Sequence, residues 1–301
     1  MDIAKDMEKY CPHALFLDVA NPMPRVVTAV NEYTKIKAYG FCNIAWSAPD
    51  GYKWLASLIN RNKEDLDVVT AGLNHFAWLV SIKEKNTGKD LYDEVINAIA
   101  TREGREFKVM RKWLKEYGLV PMGSVDHHGE YLPYDSDIEY ATKPPYHGDE
   151  RERAEALKNL KDVAEGKVPY DVAFKMLSWE HPVDLAVDIF KKRNKHHDMI
   201  NLPNKGFIEG IPDGRIVEVP VDVIDGDVIG QKIPPLPQRL TQTLNIISDV
   251  HELSAKAAVF GDIKLAEEVI ELDFAIPDKE KAKKALHDMI RNHIDILPQF
   301  T

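Results

Sequence analysis

The chain predicts a parallel α/β sheet that gives way to a mixed, largely helical α+β region, and three observations carry that prediction. Up to Leu58, short apolar runs alternate with stretches of helical spacing, the order expected of parallel strands with helical crossovers. Beyond Asp67 the alternation gives way to paired extended runs around Gly72 and around Asp225-Gly226. From Leu236 onward the apolar residues recur mostly at helical spacing.

In order, ALFLDVA (residues 14–20) reads as a buried strand ended by the Asn21-Pro22 turn, and a helix follows from Pro24 through Tyr33 with Val26, Val27 and Val30 at helical spacing. IKAYGFC (36–42) is a second strand, and the Ser47-Ala48-Pro49-Asp50-Gly51 stretch opens a helix carrying Tyr52, Trp54, Leu55 and Leu58. Two parallel strands cannot make a buried sheet, because parallel sheets need cover on both faces, so further sheet is expected before Met1. VVTAGLNHFAWLVSI (68–82) reads as a strand, a bend at Gly72 and a second strand. Residues 89–118 are helical and heavily charged. Residues 121–145, rich in Gly, Asp, His, Tyr and Pro, read as an irregular loop of functional length. Charged helices are expected over Arg151–Gly166 and Pro182–Asn194, the second running into His196 and His197. A hairpin over 214–232 turns at Asp225-Gly226, and the helices after Leu236 break at Gly261-Asp262 and near Pro277.

With 44% hydrophobic and 29% charged residues the chain is ordinary globular material. A formal net charge of -10 and the lack of a basic stripe with interleaved aromatics argue against a nucleic-acid partner. The acidic start lacks the basic n-region of a signal peptide, and no segment approaches the length of a bilayer span, so neither export nor a membrane is expected. Only Cys11 and Cys42 occur, which fits a reducing, cytoplasmic setting rather than a disulfide framework.

Two constellations carry possible chemistry. Cys42 ends an apolar strand, where side chains at the carboxyl edge of an α/β sheet face the usual ligand crevice, and His75 sits in AGLNHFAWL beside Asn74. Thiolate plus imidazole, with positions left open, suits a divalent transition metal; a buried cysteine and a core histidine are the plainer alternative. GSVDHHGEYLPY (123–134) packs Asp126, His127, His128, Glu130, Tyr131 and Tyr134 into one span, a density that suits general acid-base work, against the alternative of a solvated polar loop. No G-x-G-x-x-G, P-loop, G-x-S-x-G, C-x-x-C or H-E-x-x-H occurs.

Taken together, NPMPRVVTAV (21–30), IKAYGFCN (36–43), AGLNHFAWL (71–79), DHHGEYLPY (126–134) and NKGFIEGIPDGRIVEVPV (204–221) resemble, in order and approximate spacing, the blocks of glycoside hydrolase family 4. LNHFAWL and HGEYLPY are most similar to its α-galactosidase and α-glucosidase/glucuronidase branches. The resemblance implies that residues 1–65 are the C-terminal remnant of a Rossmann-type dinucleotide-binding domain whose glycine-rich front is absent. Residues 66–301 would then be a catalytic and oligomerisation domain like that of lactate and malate dehydrogenases. It further implies NAD and a divalent metal, commonly manganese, as cofactors, and hydrolysis by oxidation at sugar C3, removal of the C2 proton, elimination and hydration, outside the two-carboxylate scheme.

By the same resemblance Cys42 and His75 fall on the metal ligands, and Asn21 lies between nicotinamide and sugar. Asn43 and Asn74 contact substrate. Tyr131 falls on the base of the phospho-sugar members, with Asp126 near the acid residue of other branches, and the choice between them stays open. Asn43 stands where relatives often carry Asp or His and cannot donate a proton as an acid, so His127 is the nearest candidate to protonate the leaving group. Leu132-Pro133-Tyr134 supplies no arginine for a sugar phosphate. That favours a neutral or uronic α-glycoside, although Asn43 resembles the phospho-β-glucosidase branch. Expected partners are the glycoside, a separately encoded NAD-binding half and further copies of the chain. The alternatives are a noncatalytic homologue acting as an assembly partner and an oxidoreductase of the lactate/malate dehydrogenase superfamily.

Overall fold

The computed structural model describes residues 1–42, 52–140, 150–172 and 180–300. They fall into two compact units, Met1–Ile138 with Glu180–Thr301, and Glu139–Trp179.

The first unit opens with helix α1 (Asp2–Tyr10), strand β1 (Leu15–Asp18), α2 (Met23–Tyr33) and β2 (Lys37–Gly40). Pro24 sits in the first turn of α2, where its missing N–H is not needed, and Val27 and Val30 bury the face turned to the sheet. β1 and β2 pair in parallel across this helix, as the alternation predicts. Asn31 on α2 acts like a strand residue beside β2: its amide donates to Ala38 O (2.9 Å) and accepts from Ala38 N (3.2 Å). α3 (Lys53–Leu58) precedes the hairpin of β3 (Leu66–Leu73) and β4 (Phe76–Glu84). The turn of that hairpin is at Asn74-His75, two residues later than the Gly72 bend the sequence predicts. Gly72 pairs with Ala77 inside the ladder, at φ +152°, where a Cβ would lie 2.4 Å from Phe76 O. α4 (Tyr92–Thr101) and α5 (Arg105–Tyr117) divide the expected charged helical stretch, and β5 (Val120–Met122) leads to a short helix α6 (Val125–Gly129). The loop expected after Pro121 is therefore partly ordered, because Ser124 caps α6 by accepting from Asp126 N (3.3 Å).

After the second unit, which contains helix α7 (Glu150–Ala164), come α8 (Pro182–Phe190), β6 (Lys195–Pro203), β7 (Ile216–Ile224) and β8 (Asp227–Gly230). His196 and His197 thus lie in a strand, not at the end of a helix. Residues 195–203 pair with β7 along most of their length, and that ladder outweighs the helical pattern of the segment before it. Three helices, α9 (Gln238–Phe260), α10 (Ile263–Leu272) and α11 (Lys279–Asn292), close the chain, with the first break at Gly261-Asp262 as predicted.

The sheet runs β1-β2-β6-β7-β3-β4-β5, with β8 beside β7, and among the described strands only β1 and β2 are parallel. The parallel pair that the sequence leaves without a sheet gains one from β6, through the Gly40–Asn201 pairing. Successive pairings align Asp18, Gly40, Asn201, Glu218, Gly72, Ala77 and Met122 in one row across seven strands. Among the described residues no helix is long and apolar enough to cross a membrane.

Candidate functional site

Cys42 follows the end of β2 and His75 occupies the β3–β4 turn, 33 residues later, yet Cys42 Sγ and His75 Nε2 lie 3.0 Å apart. His75 adopts a left-handed backbone (φ 62°) at the second position of that turn. Burial, reinforced by the neighbouring His127 and His128, holds its pKa down to about 4, so the ring is neutral at pH 7 and offers a lone pair. Neither cysteine forms a disulfide. Among the described residues no group of three His, Cys, Asp or Glu side chains has metal-binding geometry, so the thiol and the imidazole are the two donors assembled here.

α6 brings the second constellation to the first. The His127 ring stands edge-on to His75 with centroids 5.0 Å apart, and its buried Nδ1 has no partner among the described residues. His128 plays a different part: it is fully buried, with Nε2 2.9 Å from Ala77 O and Nδ1 3.2 Å from Ser124 O, tying α6 to the start of β4. Two carbonyls favour its cation, but burial outweighs them and pushes its pKa down to about 4. The neutral ring then donates to one carbonyl only. Tyr131 packs against Phe76 (5.9 Å) and His251 (6.0 Å). Burial pushes its phenol up to about 12, opposed by the Arg25 charge.

Asp126 is occupied elsewhere, since both its oxygens accept from Arg105 of α5, at 2.5 and 2.9 Å. Asn21 is exposed at the end of β1 and makes no side-chain hydrogen bond to a described residue. Asn43 lies outside the described residues. Asn74 is buried and points at Glu218, with Nδ2 3.5 Å from Oε2, while Asn201 Nδ2 lies 2.9 Å from the same oxygen. Glu218 is itself fully buried, and burial pushes its pKa up to about 8 against the two amides.

The structure therefore brings together Cys42, His75, His127 and Tyr131, and sets Asp126 and Asn74 into partnerships of their own. Glu218, Asn201, His251 and Arg105 were not singled out in the sequence. In VEVPVDVI (217–224) Glu218 alternates with valines as a solvent-facing residue would, and only the folded structure, in which Glu218 is buried, reveals that this face is covered.

Comparison with known proteins bears on the same segments. An alpha-galactosidase of Bacillus subtilis (strain 168) is 34% identical over 135 residues, 44% of this chain and 30% of that protein. An alpha-galactosidase of Rhizobium meliloti (strain 1021) is 25% identical over 333 residues, 100% of this chain and 64% of that protein. The chain thus spans about two thirds of the length of the relatives it matches end to end. The fold is that of a 6-phospho-alpha-glucosidase from gut microorganisms, solved with NAD and glucose-6-phosphate (TM-score 0.76, 19% identity, 100% of this chain and 72% of that one). It is also that of a 6-phospho-beta glucosidase from Thermotoga maritima, solved with manganese, NAD+ and glucose-6-phosphate (TM-score 0.70, 19% identity, 98% and 70%). Residues 1–53 match the family 4 glycosyl hydrolase model and residues 70–276 its C-terminal domain, the stretch that contributes His75, His127, Tyr131 and Glu218, so the chain belongs to glycoside hydrolase family 4.

Proposed function

We propose that the chain serves NAD- and divalent-metal-dependent hydrolysis of O-glycosidic bonds, acting on a non-phosphorylated α-glycoside such as an α-galactoside, α-glucoside or α-uronide. The observation that carries the reading is the 3.0 Å approach of Cys42 Sγ to His75 Nε2 beneath the His127 ring. The donor set fits a divalent transition metal: a neutral imidazole, a thiol that can ionise, and few enough protein donors to leave positions for sugar oxygens and water, with manganese suggested by the related structures rather than by the donors. Bound together, metal and NAD supply charge stabilisation at the sugar C2 and C3 oxygens and transient oxidation at C3.

The chain's own residues divide the proton work. Tyr131, whose hydroxyl has no partner among the described residues, is assigned to accept the C2 proton, with Arg25 lowering the barrier to ionising a phenol that burial otherwise holds near 12. His127, with an unpartnered buried Nδ1, is assigned to protonate the glycosidic oxygen. Asp126 is the weaker candidate for the base, because a carboxylate paired with a guanidinium is a poor proton acceptor. Asn21 is left to face nicotinamide and sugar, and Asn43 the sugar. Residues 132–134, Leu-Pro-Tyr, offer no cation to a sugar phosphate. No glycine-rich fingerprint occurs in the 301 residues, so the cradle for the pyrophosphate is assigned to residues outside them. Residues 1–65 would be the rest of that nucleotide-binding domain, and residues 66–301 the substrate and oligomerisation part of a cytoplasmic homo-oligomer.

The test is hydrolysis of p-nitrophenyl α-galactoside, α-glucoside and α-glucuronide, with 6-phosphoglycosides for comparison, in D2O with NAD, Mn2+ and a thiol reductant. Elimination predicts deuterium at C2 of the released sugar and its loss, with turnover, in Tyr131→Phe. Release of a sugar carrying hydrogen at C2 would sink the reading. The alternative, a noncatalytic homologue that keeps the metal site, predicts that none of these substrates turns over even at saturating NAD while metal binding persists.

A further inference from the structure

The two donors of the candidate metal centre come from different parts of the chain, and one buried side chain lies between the segments that present them. Glu218 sits in the row that crosses the sheet at Gly40, Asn201, Glu218 and Gly72. On one side its Oε2 accepts from Asn201 (2.9 Å), the residue paired with Gly40, two positions before Cys42. The contact there is close, since a Cβ on Gly40 would lie 3.1 Å from that of Asn201. On the other side the same oxygen faces the amide of Asn74 (3.5 Å), the residue before His75 in the β3–β4 turn. Glu218, Asn74 and Asn201 are each 1% exposed. Glu218 Oε1, Asn74 Oδ1 and Asn201 Oδ1 are buried without a donor among the described residues.

We propose that Glu218 is a positioning residue for the Cys42–His75 pair, holding through Asn201 and Asn74 the two segments that carry the thiol and the imidazole. It rests on the metal reading above. Burying a carboxyl group with an unsatisfied oxygen is unfavourable in itself, so its place between the two ligand-bearing segments calls for a role other than packing. Gln keeps the shape of Glu218 and an oxygen to accept from the two amides, which makes it the conservative replacement. Residues behind metal ligands typically change affinity by about 10–100-fold when removed.

The experiment is a Co2+ titration of the full 301-residue chain, followed by the thiolate-to-cobalt absorption, for the wild type and for Cys42→Ala, Glu218→Gln, Glu218→Ala and Asn74→Ala, each with a thermal melt. The expected result is a band in the wild type that is absent in Cys42→Ala, Co2+ affinity in Glu218→Gln within about twofold of wild type, and affinity in Glu218→Ala and Asn74→Ala weaker by about tenfold or more. Asn74→Ala frees only the His75 segment, so it decides the matter if Glu218→Ala does not fold. Glu218→Ala or Asn74→Ala chains that melt lower but bind Co2+ as tightly as wild type would overturn the positioning role and leave the metal site standing. A wild-type chain with no such band, or a Cys42→Ala chain that keeps it, would overturn the metal reading and this proposal with it.

Discussion

Asp126 and Tyr131 are equal candidates for the base in the sequence, and their partners separate them. Asp126 is held by two charge-assisted hydrogen bonds to Arg105, whereas Tyr131 presents a phenol against Phe76 and His251 with only the Arg25 charge to favour its ionised form. A residue's role here depends on what faces it, and that is not a property of its own position in the chain. Glu218 makes the same point through pH. Its folded pKa is raised to about 8 from an ordinary 4.5, so the fold prefers the protonated acid. The stability this contributes is complete below pH 4.5 and is lost as pH rises through 8. Urea melts of the metal-free chain from pH 4 to 9 should therefore show a decline in the wild type that is absent from Glu218→Gln. A variant that follows the wild-type slope would mean that Glu218 ionises freely inside the fold.

At the scale of the element, the β3–β4 hairpin does most to build the site. Its two-residue turn puts His75 in the left-handed region and Asn74 against Glu218, and Gly72 lets the two strands close tightly beneath. Gly72→Ala forces a Cβ to within 2.4 Å of Phe76 O at a φ that L-residues rarely adopt. We expect it to destabilise the chain by about 2 kcal/mol or more, a size typical of strained or overpacked sites, and to weaken Co2+ binding. A melting temperature unchanged from wild type would contradict this account of the turn. The strand β6 shows the opposite side of element-scale reasoning. KHHDMINLP (195–203) has no alternation clean enough to mark a strand, and becomes one because β7, the edge of β2 and the hydrogen-bonding needs of its own backbone leave no better arrangement.

At the scale of the molecule, a mixed sheet gathers residues from positions 42, 75, 127 and 131 around one centre. The nucleotide side is less complete: no glycine-rich turn occurs in the 301 residues, and a pyrophosphate needs such a turn for close backbone approach. Isothermal titration of these 301 residues with NAD should accordingly show binding far weaker than that of a complete dinucleotide-binding domain, and tight stoichiometric binding would refute the assignment of the cradle to residues outside them. The sequence by itself determined the parallel β1–β2 start, the Asp225-Gly226 hairpin, the terminal helices, and Cys42, His75, His127 and Tyr131 as candidates, because periodicity, turn chemistry and motif blocks are local properties of the chain. Only the tertiary structure decided that β6 completes the sheet, that Arg105 occupies Asp126, and that Glu218 is buried between Asn74 and Asn201. Each of those depends on the pairing of strands and helices far apart in sequence, and burial, register and electrostatic partnership arise only once that pairing exists.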